Sequence, residues 1–150
     1  MSQLPRVDAQ TDAEIRAWLE KLAVCVREVD YATARPMWDE DVVVFGTFNR
    51  LLHGIDAFIT AQWDNVWPKT TDFRFTMSAV EVLGMGDIAV AVAPWTSTGY
   101  APDGASYARP GRATMMFTRR PDGWRCVHSH MSLERGVPQT SHANRPVKAH

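Results

Sequence analysis

The chain has 150 residues, 45% hydrophobic and 22% charged, which suits one domain with a single sizeable core. Its 16 basic and 17 acidic residues leave a formal net charge of -1, so no broad electropositive face is implied and nucleic acid is not an expected partner. No apolar run is long enough to cross a bilayer, and the start "MSQLPRVDAQTDAE" has no apolar signal core, so a cytoplasmic protein without a membrane partner is expected.

Residues 1–11 read as an N-terminal arm, 12–134 as the domain and 135–150 as an extended C-terminal tail. In "TDAE", Thr11 is the expected N-cap, with Glu14 completing a capping box. Ile15, Trp18, Leu19, Leu22, Val26 and Val29 follow at helical spacing and predict one buried stripe. Asp30 can cap a short second helix through "YATARPMW", where Pro36 removes a backbone donor.

"DVVVF" reads as a strand, and "NRLLHG" turns back from it. A third helix is expected in "GIDAFITAQWDNVWP". Ile55, Phe58, Ile59, Gln62, Trp63 and Val66 share one of its faces, and Pro68 stops it. From residue 73 the period becomes two. "FRFTMSAVEVL", "IAVAVAPWTSTGY", "ARPGRATMMFTRR" and "WRCVHSHMSLE" read as four strands joined by Gly-, Asp- and Pro-rich turns. Pro94 within a strand predicts an edge or a bulge. Cys25 and Cys126 form neither a disulfide pattern nor a metal spacing, and read as half-buried thiols.

Helices followed by antiparallel strands predict an α+β fold with the helices on one face of a twisted sheet. A curled sheet closed by helices makes a cone whose mouth is a natural small-molecule pocket. Alternation then sorts the side chains. Ala113, Met115 and Phe117, with Val127, Ser129 and Met131, are the more apolar sets and are expected inside. Arg112, Met116, Trp124, Cys126, His128 and His130 are expected on the outer face. That mixed aromatic and polar patch reads as a subunit interface.

"RRPDGWRCVHSHMS" resembles the closing hairpin of SnoaL-like domains in the nuclear transport factor 2-like superfamily. It is also similar to the end of the association domain of calcium/calmodulin-dependent protein kinase II, which has Arg-Arg, a turn, Trp and His-x-His-x-Ser. "VDYATARPMWDEDVVVFG" and "LLHGIDAF" extend the likeness over about residues 12–134. The resemblance implies a cone-shaped, cystatin-like α+β fold, with three N-terminal helices on a curved, mostly antiparallel sheet. It also implies a homodimer or higher oligomer joined through the outer face.

The family holds enzymes, binding domains and assembly domains, so the fold leaves the function open. The positions used by its ketosteroid isomerases correspond to Leu22, Gly46 and Met115, none of which can do that chemistry. The pocket arginines of the kinase association domain correspond to Met115 and Met131. The histidine available for a dehydratase-like Asp and His pair is His53, which has no evident partner. Tyr31, Asp41 and His53 are the titratable groups that a shifted register would bring inside.

Three further readings stand beside an enzyme of lyase or isomerase type. An apolar pocket would be lined by Phe45, Trp63, Trp67, Trp95, Met115, Phe117 and Met131, with Ser129 as a polar group inside and Trp38 and Phe48 contributing; equally, these residues fill a core. An interface would use Arg112, Trp124, His128 and His130, with Arg109 near Arg112. A metal site at His128 and His130 would offer two ligands where zinc takes three or four, so neither metal nor cofactor is expected.

Overall fold

The computed structural model describes residues 3–47 and 49–148. Helix α1 spans Ala9–Glu28, and its N-cap is Asp8 rather than Thr11: the Asp8 carboxylate accepts from the Thr11 N–H at 2.7 Å. An aspartate there both satisfies a free helix donor and faces the positive end of the helix dipole. The stripe of Ile15, Trp18, Leu19, Leu22 and Val26 is buried. Asp30 caps α2, Tyr31–Ala34, through the Thr33 N–H. A 3-10 turn over Arg35–Met37 then absorbs Pro36 in its first turn, where no backbone donor is needed.

The third helical region is one run of changing pitch. It passes from α3, Ile55–Phe58, through a π-helical stretch, Ile59–Trp63, into α4, Asp64–Val66, and ends in a 3-10 turn over Trp67–Lys69. The Ala61 carbonyl in the π stretch accepts from the side-chain amides of Asn49 and Asn65. Such widened turns recur at functional sites.

Seven strands form one sheet: β1 Trp38–Phe45, β2 Leu51–His53, β3 Thr71–Phe75, β4 Glu81–Met85, β5 Ile88–Tyr100, β6 Ser106–Arg120 and β7 Gly123–Leu133. The order is β2-β1-β7-β6-β5-β3, with β4 also paired to β5. β1 and β7 are parallel and the other pairs antiparallel. The segment expected as one strand over 73–83 is two, β3 and β4, separated by a 3-10 turn over Met77–Ala79. Pro94 explains the break. It lies between the stretch of β5 paired with β4, which ends at Val92, and the stretch paired with β3, which begins at Trp95. Its missing N–H therefore costs no ladder bond there.

The sheet's inner face carries the core. Val42, Val44, Ala91, Ala93, Met115 and Phe117 are buried there, and Trp18 of α1 packs edge-on against both Trp38 and Phe117. A bulge in β7 changes the parity of the last strand. Met116 pairs with His128 but Phe117 pairs with Cys126, so Val127 is the extra residue. Ser129 and Met131 point inward as expected, while Trp124 and Cys126 also turn inward, contrary to the alternation drawn from sequence. Trp124 is 5% exposed, donates to Glu14 on α1 at 2.8 Å and carries the Arg119 guanidinium over its ring. It is thus removed from the outer-face set.

The tail is extended and lies along its own chain. The Arg145 guanidinium donates to the carbonyls of Arg27, Trp67 and Thr70, tying the end of α1 to the 3-10 turn after α4. Tyr107 donates to the Thr140 carbonyl and the Lys148 N–H to that of Val29. Among the described residues, no helix is long and apolar enough to cross a membrane.

Candidate functional site

β5 and β6 build one wall of an interior cavity. Their inner faces present Trp95 and Ser97 opposite Gly111 and Arg109, in register. Two glycines clear the space. A Cβ on Gly111 would come within 2.2 Å of the Trp95 indole, and one on Gly99 within 2.7 Å of Arg109 Cδ. Leu22 and Val26 of α1 line the facing wall. The π stretch and the turn after it supply Trp63 and Trp67, with Trp38, Phe58 and Phe73 closing the sides. Trp63 and Trp67 stack at 4.2 Å and 16°, and Tyr31 sits edge-on to both at 5.3 Å. Trp38, Trp63, Trp67, Trp95 and Met131, expected from sequence to line a pocket, all border this cavity.

The cavity volume is about 40 Å³, well below the roughly 300–1,000 Å³ of a formed small-molecule pocket. An open groove of about 570 Å³ adjoins it, and Thr47 and Met131 line both. Gln62, buried on the π stretch, donates to the Thr47 hydroxyl at 3.0 Å. Gly46 permits this, since a Cβ there would meet the Gln62 amide at 2.2 Å.

Arg109 is the ionisable residue among the cavity's lining. Its side chain is buried, the residue 1% exposed. Nη1 donates to Ser97 Oγ at 3.0 Å, and the guanidinium carbon lies 5.7 Å from the Trp95 ring centre. Nε has no partner, and no carboxylate among the described residues pairs with the charge. Burial pulls its proton affinity below that of an ordinary arginine, partly offset by Tyr107, yet a guanidinium keeps its proton at neutral pH. The indole N–H groups of Trp38, Trp63 and Trp95 are likewise buried without acceptors. Among the residues that line the cavity, these three indoles and Arg109 thus carry buried donors without partners.

Other residues proposed from sequence fall elsewhere. Phe45 is on the outer face, 39% exposed, because Val42 and Val44 take the inward positions of β1; its ring lies 4.9 Å from that of His130. Met115 and Phe117 are fully buried in the core and do not border the cavity. Ser129 is fully buried on the inner face with its hydroxyl unpartnered, also outside the cavity lining. Phe48 lies outside the described residues. Arg109 is inside the cone, not beside Arg112 on the outer face, because it shares the parity of Ala113 and Met115.

Among the described residues, no acid–base constellation lines the cavity. His53 and Asp41 are exposed. Tyr31 donates to Asp64 at 2.8 Å, and burial, reinforced by that carboxylate, pushes its phenol well above the usual range. On the outer face, His128 Nδ1 lies 2.6 Å from the Val43 carbonyl, Arg112 donates to Ser132 at 3.0 Å, and His130 is exposed. Met116, Val92 and Ile88 are exposed on the same face. No group of three or more His, Cys, Asp or Glu among the described residues is placed to hold a metal ion.

Against known proteins, the model of a family described as SnoaL-like domain matches residues 15–135. Solved structures share the fold. A nuclear transport factor 2-like superfamily protein from Salmonella enterica has a TM-score of 0.72 at 20% identity, over 86% of this chain and 96% of that one. The calcium/calmodulin-dependent protein kinase II hub of S. rosetta gives 0.70 at 22% identity, over 85% and 99%. An uncharacterized protein with a cystatin-like fold from Caulobacter vibrioides gives 0.70 at 15%, over 85% and 92%. No protein in the curated set matches. At these identities the solved structures speak for the fold alone.

Proposed function

This chain belongs to the SnoaL-like domain family, and from that premise we propose that it binds a small, largely apolar or aromatic molecule inside its cone. The observation that carries this reading is the gathering of Trp38, Trp63 and Trp95 around one cavity with their N–H donors unmet. A buried donor left without an acceptor costs about 1–3 kcal/mol, so three of them at one place favour an acceptor that arrives with a ligand. Stacked and edge-on rings supply apolar walls that suit an aromatic guest.

The ligand enters from the open groove, between Thr47 and Met131. At about 40 Å³ the cavity is too small for an aromatic guest, so entry displaces Met131, whose unbranched thioether repacks readily. Arg109 is a donor without acceptor capacity and cannot serve as a general base. The lining therefore favours binding over lyase or isomerase chemistry.

A thermal-shift screen of small aromatic compounds, alongside native mass spectrometry of the freshly purified protein, tests the reading. Binders raise the midpoint of the wild type in proportion to their affinity, and Met131→Trp, which plugs the passage, abolishes the shift. Failure of every compound to shift the wild type, with no co-purified organic mass, would overturn it.

A second reading concerns assembly and is favoured by the outer face. Phe45, Met116, Val92 and Ile88 expose apolar surface beside Arg112, His128 and His130, and a second copy of the chain would cover it. Sedimentation of wild type and Met116→Glu tests this. A dimer that the substitution dissociates supports the reading, and a wild-type monomer at high concentration contradicts it.

A further inference from the structure

We propose that the molecule bound in the cone carries a carboxylate, and that Arg109 is its counter-ion. The inference rests on the reading of the cone as a binding cavity and adds the chemical class of the guest.

A guanidinium taken out of water without a paired charge is costly unless something restores its solvation. Arg109 is buried, and no carboxylate among the described residues neutralises it. Its surroundings do not explain it as a structural ion pair. Ser97 takes Nη1, and the Trp95 ring lies 5.7 Å from the guanidinium carbon. The Nε side is left without a partner. Nε together with Nη2 is one of the two edges by which a guanidinium grips a carboxylate in a bidentate pair.

The backbone is arranged to admit this side chain. Gly99, on β5, stands where any Cβ would collide with Arg109 Cδ at 2.7 Å and with the Tyr107 ring at 2.5 Å. Ser97 faces Arg109 directly across the β5–β6 ladder, so the hydroxyl that orients the guanidinium is fixed by register. The nearby indoles of Trp38, Trp63 and Trp95 add neutral donors but no further positive charge. One positive charge among neutral donors and aromatic walls matches a monoanion with an apolar body, such as an aromatic monocarboxylate, better than a dianionic phosphate.

The test compares benzoate with benzamide, which share shape and ring but differ in charge, by calorimetric titration. For the wild type, benzoate is expected to bind about ten- to hundredfold more tightly, the range for hydrogen bonds to a charged group. Arg109→Met is expected to erase that preference by weakening benzoate far more than benzamide, with near-UV circular dichroism checking that it folds. The wild-type comparison stands even if the variant does not fold. Equal affinity of the wild type for both compounds would overturn the carboxylate inference and leave the aromatic-binding reading intact. Binding of neither would overturn both.

Discussion

Gly111 lies directly across from Trp95 in the β5–β6 ladder, and the indole fills the space where a side chain on Gly111 would begin. The contact is purely steric, since the alanine Cβ would sit 2.2 Å from Trp95 Cζ2 and 2.7 Å from the Ser132 carbonyl oxygen. Replacing a strand glycine by alanine normally stabilises by lowering the entropy of the unfolded chain. Here overpacking dominates, and Gly111→Ala is expected to lose about 1–3 kcal/mol, measured by urea denaturation. A neutral or stabilising result would mean that Trp95 does not occupy this position.

Trp124 separates the inner face from the outer one. Its indole bonds to Glu14 on α1, so Trp124→Ala is expected to cost about 3–5 kcal/mol of fold stability. The subunit count of the folded fraction should not change. Chemical denaturation together with sedimentation checks both parts. Loss of an oligomer with unchanged fold stability would instead return Trp124 to the outer face.

Arg145 pins the tail to the carbonyls of Arg27, Trp67 and Thr70. Arg145→Ala is expected to cost about 1–3 kcal/mol and to make the segment after Glu134 the first site of limited proteolysis. An unchanged cleavage pattern would contradict the strap.

Both thiols are buried, and burial is the leading cause pushing Cys25 and Cys126 above the ordinary cysteine range. Neither is expected to react with a disulfide reagent at pH 8 in the native state, and both should react once unfolded. Above about pH 8.5 the unfolded thiols ionise while the folded ones keep their protons. Their contribution to stability is full below that value and declines as pH rises beyond it. A fast native reaction would place at least one thiol at the surface.

Much of this fold was legible because hydrophobic period and tight turns agree along β5 and β6, where alternation sorted Met115 and Phe117 from Arg112 and Met116. "DVVVF" has no alternation, so the parity of Phe45 could not be read and it was expected inside. The bulge at Val127 has no glycine or proline to announce it, and it reversed Trp124 and Cys126. Arg109 was missed for a different reason. Its parity with Ala113 and Met115 places it inward, but arginine is rarely buried without a partner. The anchors of Arg145 lie 75 or more residues away in sequence, beyond any local pattern.

The most direct measurement is a two-dimensional ¹H–¹⁵N spectrum of the indole N–H groups, recorded while benzoate is added. The chain has six tryptophans, so each resonance can be assigned by single replacement. The account predicts that the Trp38, Trp63 and Trp95 resonances move together and saturate, while Trp124, already bonded to Glu14, stays in place. Movement of Trp124 alone, or of no indole at all, would contradict a ligand in the cone.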